Sequence, residues 1–162
     1  MKCDLNGNVD FEGEWMNNHV MTDNDLKNDL LVPMTIEEFV IDNEMFNDEN
    51  ITSLHFFSPL LVRLKRIEIG NECFKHVREF VIDGLERLES VIFGKWCFRI
   101  GDEERDDGIC RIMNCPNLRQ LEIDNQSFRD FKSFELSNVN SLQSIKFGDS
   151  CFRYADLSLK GE

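Results

Sequence analysis

The sequence predicts a β-rich solenoid of about five coils, a leucine-rich-repeat-like array with roughly 24 residues and two short strands per coil. Three observations predict it. One template recurs through most of the chain: LKRIEIGNECF from Leu64, LESVIFGKWCF from Leu88, LRQLEIDNQSF from Leu118 and LQSIKFGDSCF from Leu142, with an earlier copy, IEEFVIDNEMF, from Ile36. A second stretch repeats behind it: REFVIDGLERL from Arg78, ICRIMNCPNL from Ile109 and KSFELSNVNSL from Lys132. Apolar and polar residues alternate in both stretches, and β-favouring side chains dominate them, as in strands with one buried face. Repetition at this period marks an architecture whose units bury their apolar edges only against one another.

The first strand of each coil follows from Leu-x-x-Ile-x-Ile. In the predicted register Leu64, Leu88, Leu118 and Leu142 stack as one ladder. Ile67, Val91, Leu121 and Ile145 form a second ladder, and Ile69, Phe93, Ile123 and Phe147 a third. A turn follows, and then one buried aromatic per coil: Phe46, Phe74, Phe98, Phe128 and Phe152, a phenylalanine spine. A chain with 14 Phe but only one Tyr and two Trp fits a single buried slot filled many times. The second strand centres on Phe-x-Ile or its equivalent, and the first coil follows the pattern more loosely through Phe56, Ser58, Leu61 and Leu64.

The strand signature, the turn at Gly70 and Asn71 and the buried Phe74 resemble the leucine-rich repeat superfamily, in the phenylalanine-bearing style of BspA-like proteins, over residues 36–162. The departure lies eight residues after the first Leu, where the common form has Asn and this chain has Glu72, Trp96, Gln126 and Ser150. The shape of the turn and the curvature therefore stay open. The resemblance implies a protein-binding module, and it also permits substrate selection beside ubiquitin ligases or surface adhesion.

Residues 1–35 are expected to form an acidic leader, partly disordered or capping, ahead of the solenoid at 36–162. Positions 1–50 carry 13 acidic and 2 basic side chains; the remainder has 18 and 16, which together give the net −13. Residues 11–18, FEGEWMNN, resemble half of a MORN repeat, and residues 4–11 resemble the middle of an EF-hand loop. That frame puts Lys2 and Gly13 where the first ligand and the closing Glu belong, which disfavours calcium. A short helix is expected from Thr22 or Asp23 to the stop at Pro33, covering the first coil.

Six cysteines need an account. Cys73, Cys97 and Cys151 share one repeat position with Met45 and Ser127, and Cys110 and Cys115 fall on core positions of second strands. Ligands spread a coil or more apart do not converge on a metal, so buried free thiols are expected, with no cofactor. The spacing Leu88 to Leu118 is 30 residues, so about six are inserted after Phe98, forming the acidic loop GDEERDDG at 101–108. The expected role of that loop is solvated, with docking or weak cation binding as the alternative.

Charge, motifs and hydropathy exclude several functions. No apolar run is long enough to span a membrane, and the first residues lack a signal-peptide pattern, so a cytoplasmic protein without membrane partners is expected. An acidic leader on a nearly balanced array disfavours nucleic acid. His19, His55 and His76 occupy unrelated repeat positions and no nucleophile or phosphate motif is present, so no enzyme is expected.

A repeated outward strand face remains, with coil-by-coil variation at Glu37, Glu38 and Val40; Lys65, Arg66 and Glu68; Glu89, Ser90 and Ile92; Arg119, Gln120 and Glu122; Gln143, Ser144 and Lys146. The expected function is non-catalytic protein binding through Lys65, Arg66, Ile92, Arg119 and Lys146. The alternative is a structural or self-assembling fragment of a longer array, associating through its C-terminal edge, because LSLKGE offers no evident cap.

Overall fold

Alternation of buried and part-buried residues over four to seven positions yields short strands, and the 24-residue period stacks equivalent strands side by side. The computed structural model describes residues 36–58, 61–100 and 108–161, together with the backbone of β1 (Lys2–Cys3), β2 (Val9–Asp10) and β3 (Asn18–Met21). The first-strand series is β4 (Glu38–Ile41), β6 (Arg66–Ile69), β8 (Ser90–Phe93), β10 (Gln120–Ile123) and β12 (Ser144–Phe147). The second-strand series is β5 (Ser53–Phe57), β7 (Glu79–Asp83), β9 (Gly108–Met113), β11 (Phe131–Ser137) and β13 (Asp156–Lys160). These series form two sheets, ordered β12-β10-β8-β6-β4-β3 and β13-β11-β9-β7-β5, with every pairing in both parallel. The chain is thus the predicted β-solenoid of about five turns.

Register follows the template residue for residue. Phe39, Ile67, Val91, Leu121 and Ile145 are successive partners, as are Ile41, Ile69, Phe93, Ile123 and Phe147. After the inserted residues β9 stays in register with β7, Glu79 pairing with Ile109, while the β9–β11 register shifts by one residue between Phe131 and Ser133, opposite Gly108 and Ile109. Residues 101–107, the half-copy at 11–17, the closing position of the calcium-like frame and the expected helix before Pro33 lie outside the described residues. In the leader, β1 pairs antiparallel with β2, and β3 lies parallel beside β4, a strand neighbour that the sequence reading does not assign.

The core lies between the sheets. Ladder members of the inner coils are essentially inaccessible, including Leu64, Ile67, Ile69, Leu88, Val91, Leu118 and Leu121. The spine forms as predicted: Phe46, Phe74, Phe98, Phe128 and Phe152 stack face to face with centroid spacings of 5.2, 5.1, 4.4 and 5.1 Å. Phe80 of the second sheet meets Phe98 and Phe93 edge-on at 5.1 and 5.3 Å and so locks the two sheets together. The fifth coil departs from expectation: Leu142 is half-buried, while Ile145 and Phe147 are 41% and 44% exposed. The reason is positional, because an inner ladder member is covered by coils on both sides, and among the described residues β12 has a strand neighbour only in β10.

The turn after each first strand has left-handed backbone at two positions. Each spine Phe adopts positive φ, between 48° and 59°, and so does the residue two before it: Glu44, Glu72, Trp96, Gln126 and Ser150. Left-handed backbone at a non-glycine residue is costly, and here it turns the chain while aiming the ring into the core, where its burial offsets the strain. An Asn directly before the first left-handed residue links neighbouring coils. Asn43 Oδ1 accepts the Asn71 amide (2.7 Å), Asn71 Oδ1 accepts the Lys95 amide (2.8 Å), and Asn125 Oδ1 accepts the Asp149 amide (2.7 Å). Lys95 offers no amide oxygen, and in the next coil the Asp124 carboxylate accepts the Asn125 amide instead (2.7 Å).

The same turn explains why Cys and Ser exchange. Cys73 Sγ donates to the Asp42 carbonyl (3.0 Å), Cys97 Sγ to the Gly70 carbonyl (2.8 Å), Ser127 Oγ to the Gly94 carbonyl (2.6 Å) and Cys151 Sγ to the Asp124 carbonyl (3.0 Å). Each donor closes a carbonyl of the coil before it, so in the second to fifth coils the slot holds a small donor, while Met45 fills it in the first. Ser127→Cys is expected to change stability by less than about 1 kcal/mol. Ser127→Ala should cost about 1–3 kcal/mol, by orphaning the Gly94 carbonyl and the Cys97 amide that Ser127 Oγ accepts at 3.0 Å. Urea unfolding of the two variants checks this.

Candidate functional site

Pleating sends every second residue of the six-stranded sheet outward, and parallel register collects these residues into columns running along the solenoid. One column reads Glu38, Arg66, Ser90, Gln120 and Ser144; the next reads Val40, Glu68, Ile92, Glu122 and Lys146. At the strand entrance a third column alternates in charge. The Lys65 amide donates to the Glu37 carbonyl (2.7 Å), Glu89 to Lys65 (2.8 Å), Arg119 to Glu89 (2.9 Å) and Gln143 to Arg119 (2.9 Å). Opposite charges are therefore one coil apart along most of this column.

This arrangement sorts the five predicted contact residues. Lys65 Nζ lies 2.8 Å from Glu37 Oε2 and holds that carboxyl below the usual carboxylate range by hydrogen bonding and charge. Lys146 pairs with Glu122 and, with Gln120 assisting, lowers its pKa in the same way. Arg66 pairs with Glu68 on its own strand, while its Nε, shielded from solvent, has no hydrogen-bond partner among the described residues. Arg119 is exposed and makes no ion pair among the described residues, and Ile92 is half-buried in mid-sheet. All five sit on or at the margin of one face, but Lys65 and Lys146 are already engaged by carboxylates one coil back.

Ile92, Glu122, Lys146 and Phe147 line an open hollow of about 320 Å³, extended by the backbone at Gly94 and Gly148. The hollow joins an apolar floor to two acidic side chains, Glu122 and Asp124, and one basic side chain, Lys146. The sequence carries its components, but not their convergence, because Phe147 belongs to a ladder that is buried in the inner coils.

The second sheet has an outer face as well. His55 and Glu79 approach to 3.4 Å, and Glu135 meets Lys160 at 3.0 Å and Arg111 at 3.9 Å. These pairs again join neighbouring coils. Among the described residues no disulfide forms: Cys73, Cys97, Cys110 and Cys115 are buried thiols, and Cys151 is half-buried. Burial raises the Cys110 thiol pKa and pushes Cys115 up to about 11; hydrogen bonding to Cys73, then burial, raises Cys97. All three are thus neutral thiols near pH 7. Among the described residues no group of three or more His, Cys, Asp or Glu is placed to hold a metal ion, and no helix is long and apolar enough to cross a membrane.

Set against protein-family models, curated proteins and solved structures, the chain has no significant match.

Proposed function

We propose that the outer face of the six-stranded sheet is a non-catalytic protein-binding surface. One observation carries the reading: inward columns repeat nearly the same side chain coil after coil, whereas the outward columns change chemistry at each step and end on a hollow with an apolar floor. A repeated scaffold with a varied face is how solenoids present binding surfaces. The leucine-rich-repeat resemblance points the same way, since its strand positions coincide with the buried ladders. Arg119, Ile92 and Arg66 are the contacts with donors or apolar surface left to offer, and Lys65 and Lys146 act at the rim.

The test is affinity capture from lysate of the source organism, comparing the wild type with the Arg66→Glu, Arg119→Glu variant after thermal melts show that both fold. Both positions are on the sheet surface, so stability should change by less than about 1 kcal/mol. A partner retained by the wild type and lost by the variant supports the strand face. Equal retention removes it as the site.

A second reading, self-association, is favoured by the β12 and β13 edges. Beside Ile145 and Phe147 they present Leu157 and Leu159 at 59% and 66% exposure, all on strands with an unpaired side. Light scattering on the same samples separates the readings, since a concentration-dependent mass above 19.0 kDa would favour self-association and a constant monomer mass would count against it.

A further inference from the structure

A like-charged column runs along the corner of the solenoid that follows the phenylalanine spine. The residue after each spine Phe is Lys75, Arg99, Arg129 and Arg153 in the second to fifth coils, with Asn47 in the first. Stacking of the rings, with spacings of 4.4–5.1 Å between Phe74 and Phe152, brings these four positions one coil apart in order. The amides of Phe98 and Phe128 donate to the Cys73 and Cys97 carbonyls at 3.0 and 2.9 Å, which fixes the spacing through the backbone.

The outward sheet faces are arranged differently. There, Lys65 faces Glu37, Lys146 faces Glu122 and Lys160 faces Glu135, each across one coil. On this corner no acid from a neighbouring coil among the described residues pairs with the column. Lys75 meets Glu72 of its own turn at 3.2 Å, and Arg129 Nε lies 3.9 Å from Asp130 while having no hydrogen-bond partner among the described residues. Arg99 makes no ion pair among the described residues, and the Arg153 guanidinium lies 5.4 Å over the Tyr154 ring. Lys75 and Arg129 are thus balanced only within their own turns, and Arg99 and Arg153 make no ion pair among the described residues, so an external polyanion complements the column.

We propose that this basic column docks an extended acidic peptide segment of a partner protein. The three steps between the four rungs span roughly 14 Å, at about 4.8 Å each. An extended peptide rises about 3.3 Å per residue, so five residues with carboxylates on alternate positions cover the column. Trp96 and Tyr154, 41% and 44% exposed, stand on the same turns as Arg99 and Arg153 and add apolar contact. A net charge of −13 opposes a nucleic-acid backbone, with a phosphate at every step, more strongly than a short peptide whose carboxylates are spaced apart. This site lies away from the strand face and stands whether or not that face binds a partner.

Fluorescence anisotropy tests the proposal with fluorescein-labelled decaglutamate at low salt, alongside a labelled ten-nucleotide oligothymidylate. The wild type should bind decaglutamate saturably. Arg99→Gln, Arg153→Gln should weaken binding about tenfold, while Arg111→Gln, Lys160→Gln, on the outer face of the second sheet, should change it less than about twofold. The single Arg99→Gln carries the test if the double variant melts early. No saturable decaglutamate binding, equal loss in both double variants, or tighter binding of the oligothymidylate would each overturn the proposal.

Discussion

Replacing Phe98 by alanine is expected to lower the unfolding free energy by about 3–5 kcal/mol, enough to leave a marginally stable domain largely unfolded. Phe98 is wholly buried, stacks on Phe74 at 5.1 Å and Phe128 at 4.4 Å, and takes edge contacts from Phe80 and Phe93 at 5.1 and 5.6 Å. Neighbouring rings are pinned by their own coils' hydrogen bonds, so they cannot collapse into the space and a cavity remains. Alanine also keeps the left-handed backbone at φ 54° without the ring burial that offsets it. Phe152 occupies the equivalent place with 5% exposure and one spine neighbour, Phe128, so Phe152→Ala should cost less. Urea denaturation of both variants measures the difference; equal losses would show that the spine does not act as a continuous stack.

The second large effect concerns a coupling between adjacent coils. A Cβ added at Gly94 would stand 2.8 Å from the Asn71 amide nitrogen and the Gly70 carbonyl carbon, and 2.6 Å from Asn71 Oδ1. Gly70 faces Asn43 and Gly148 faces Asn125 with the same crowding. In the one inner turn that carries Asp124 in place of glycine, the preceding coil has Lys95 instead of Asn. The Asn side chain folds back to accept the next coil's amide and closes the space that a Cβ would need.

Gly94→Asp alone should therefore cost about 3 kcal/mol, the upper range for overpacking, because the obstructing atoms are backbone. Asn71→Lys alone should cost about 1 kcal/mol for the lost bond to Lys95. Together they recreate the Lys95 and Asp124 combination, and the double variant should be more stable than the sum by about 1 kcal/mol or more. A double-mutant cycle in urea reads the coupling directly. Strict additivity would mean that the clash with backbone, not the folded Asn, decides the residue at this place.

The strands, the core ladders and the spine were legible because alternation and repetition are one-dimensional signals. The Leu64, Ile67 and Ile69 set and its copies predict inward faces, and the inner coils bury them. Less of the binding face was legible. That Lys65 and Lys146 lie on it follows from alternation, but their engagement by Glu37 and Glu122 depends on residues 28 and 24 positions away, brought opposite only by coil register. The basic column was present in the sequence as Phe-Lys or Phe-Arg in the second to fifth coils, at the residue following each spine Phe.

By itself the sequence determined the number of coils, their period and which side chains face inward, since a unit that cannot bury its edge alone forces stacking on its copies. Only the tertiary structure decided three further things. Stacking drives five phenylalanines into left-handed backbone that their local preference opposes, because ring burial outweighs the strain. Close approach of coils couples each turn glycine to the Asn of the coil before it. Burial of a ladder member requires neighbours on both sides, so Ile145 and Phe147 carry the core pattern and stand exposed, while Ile67 and Ile69, with the same pattern, are sealed.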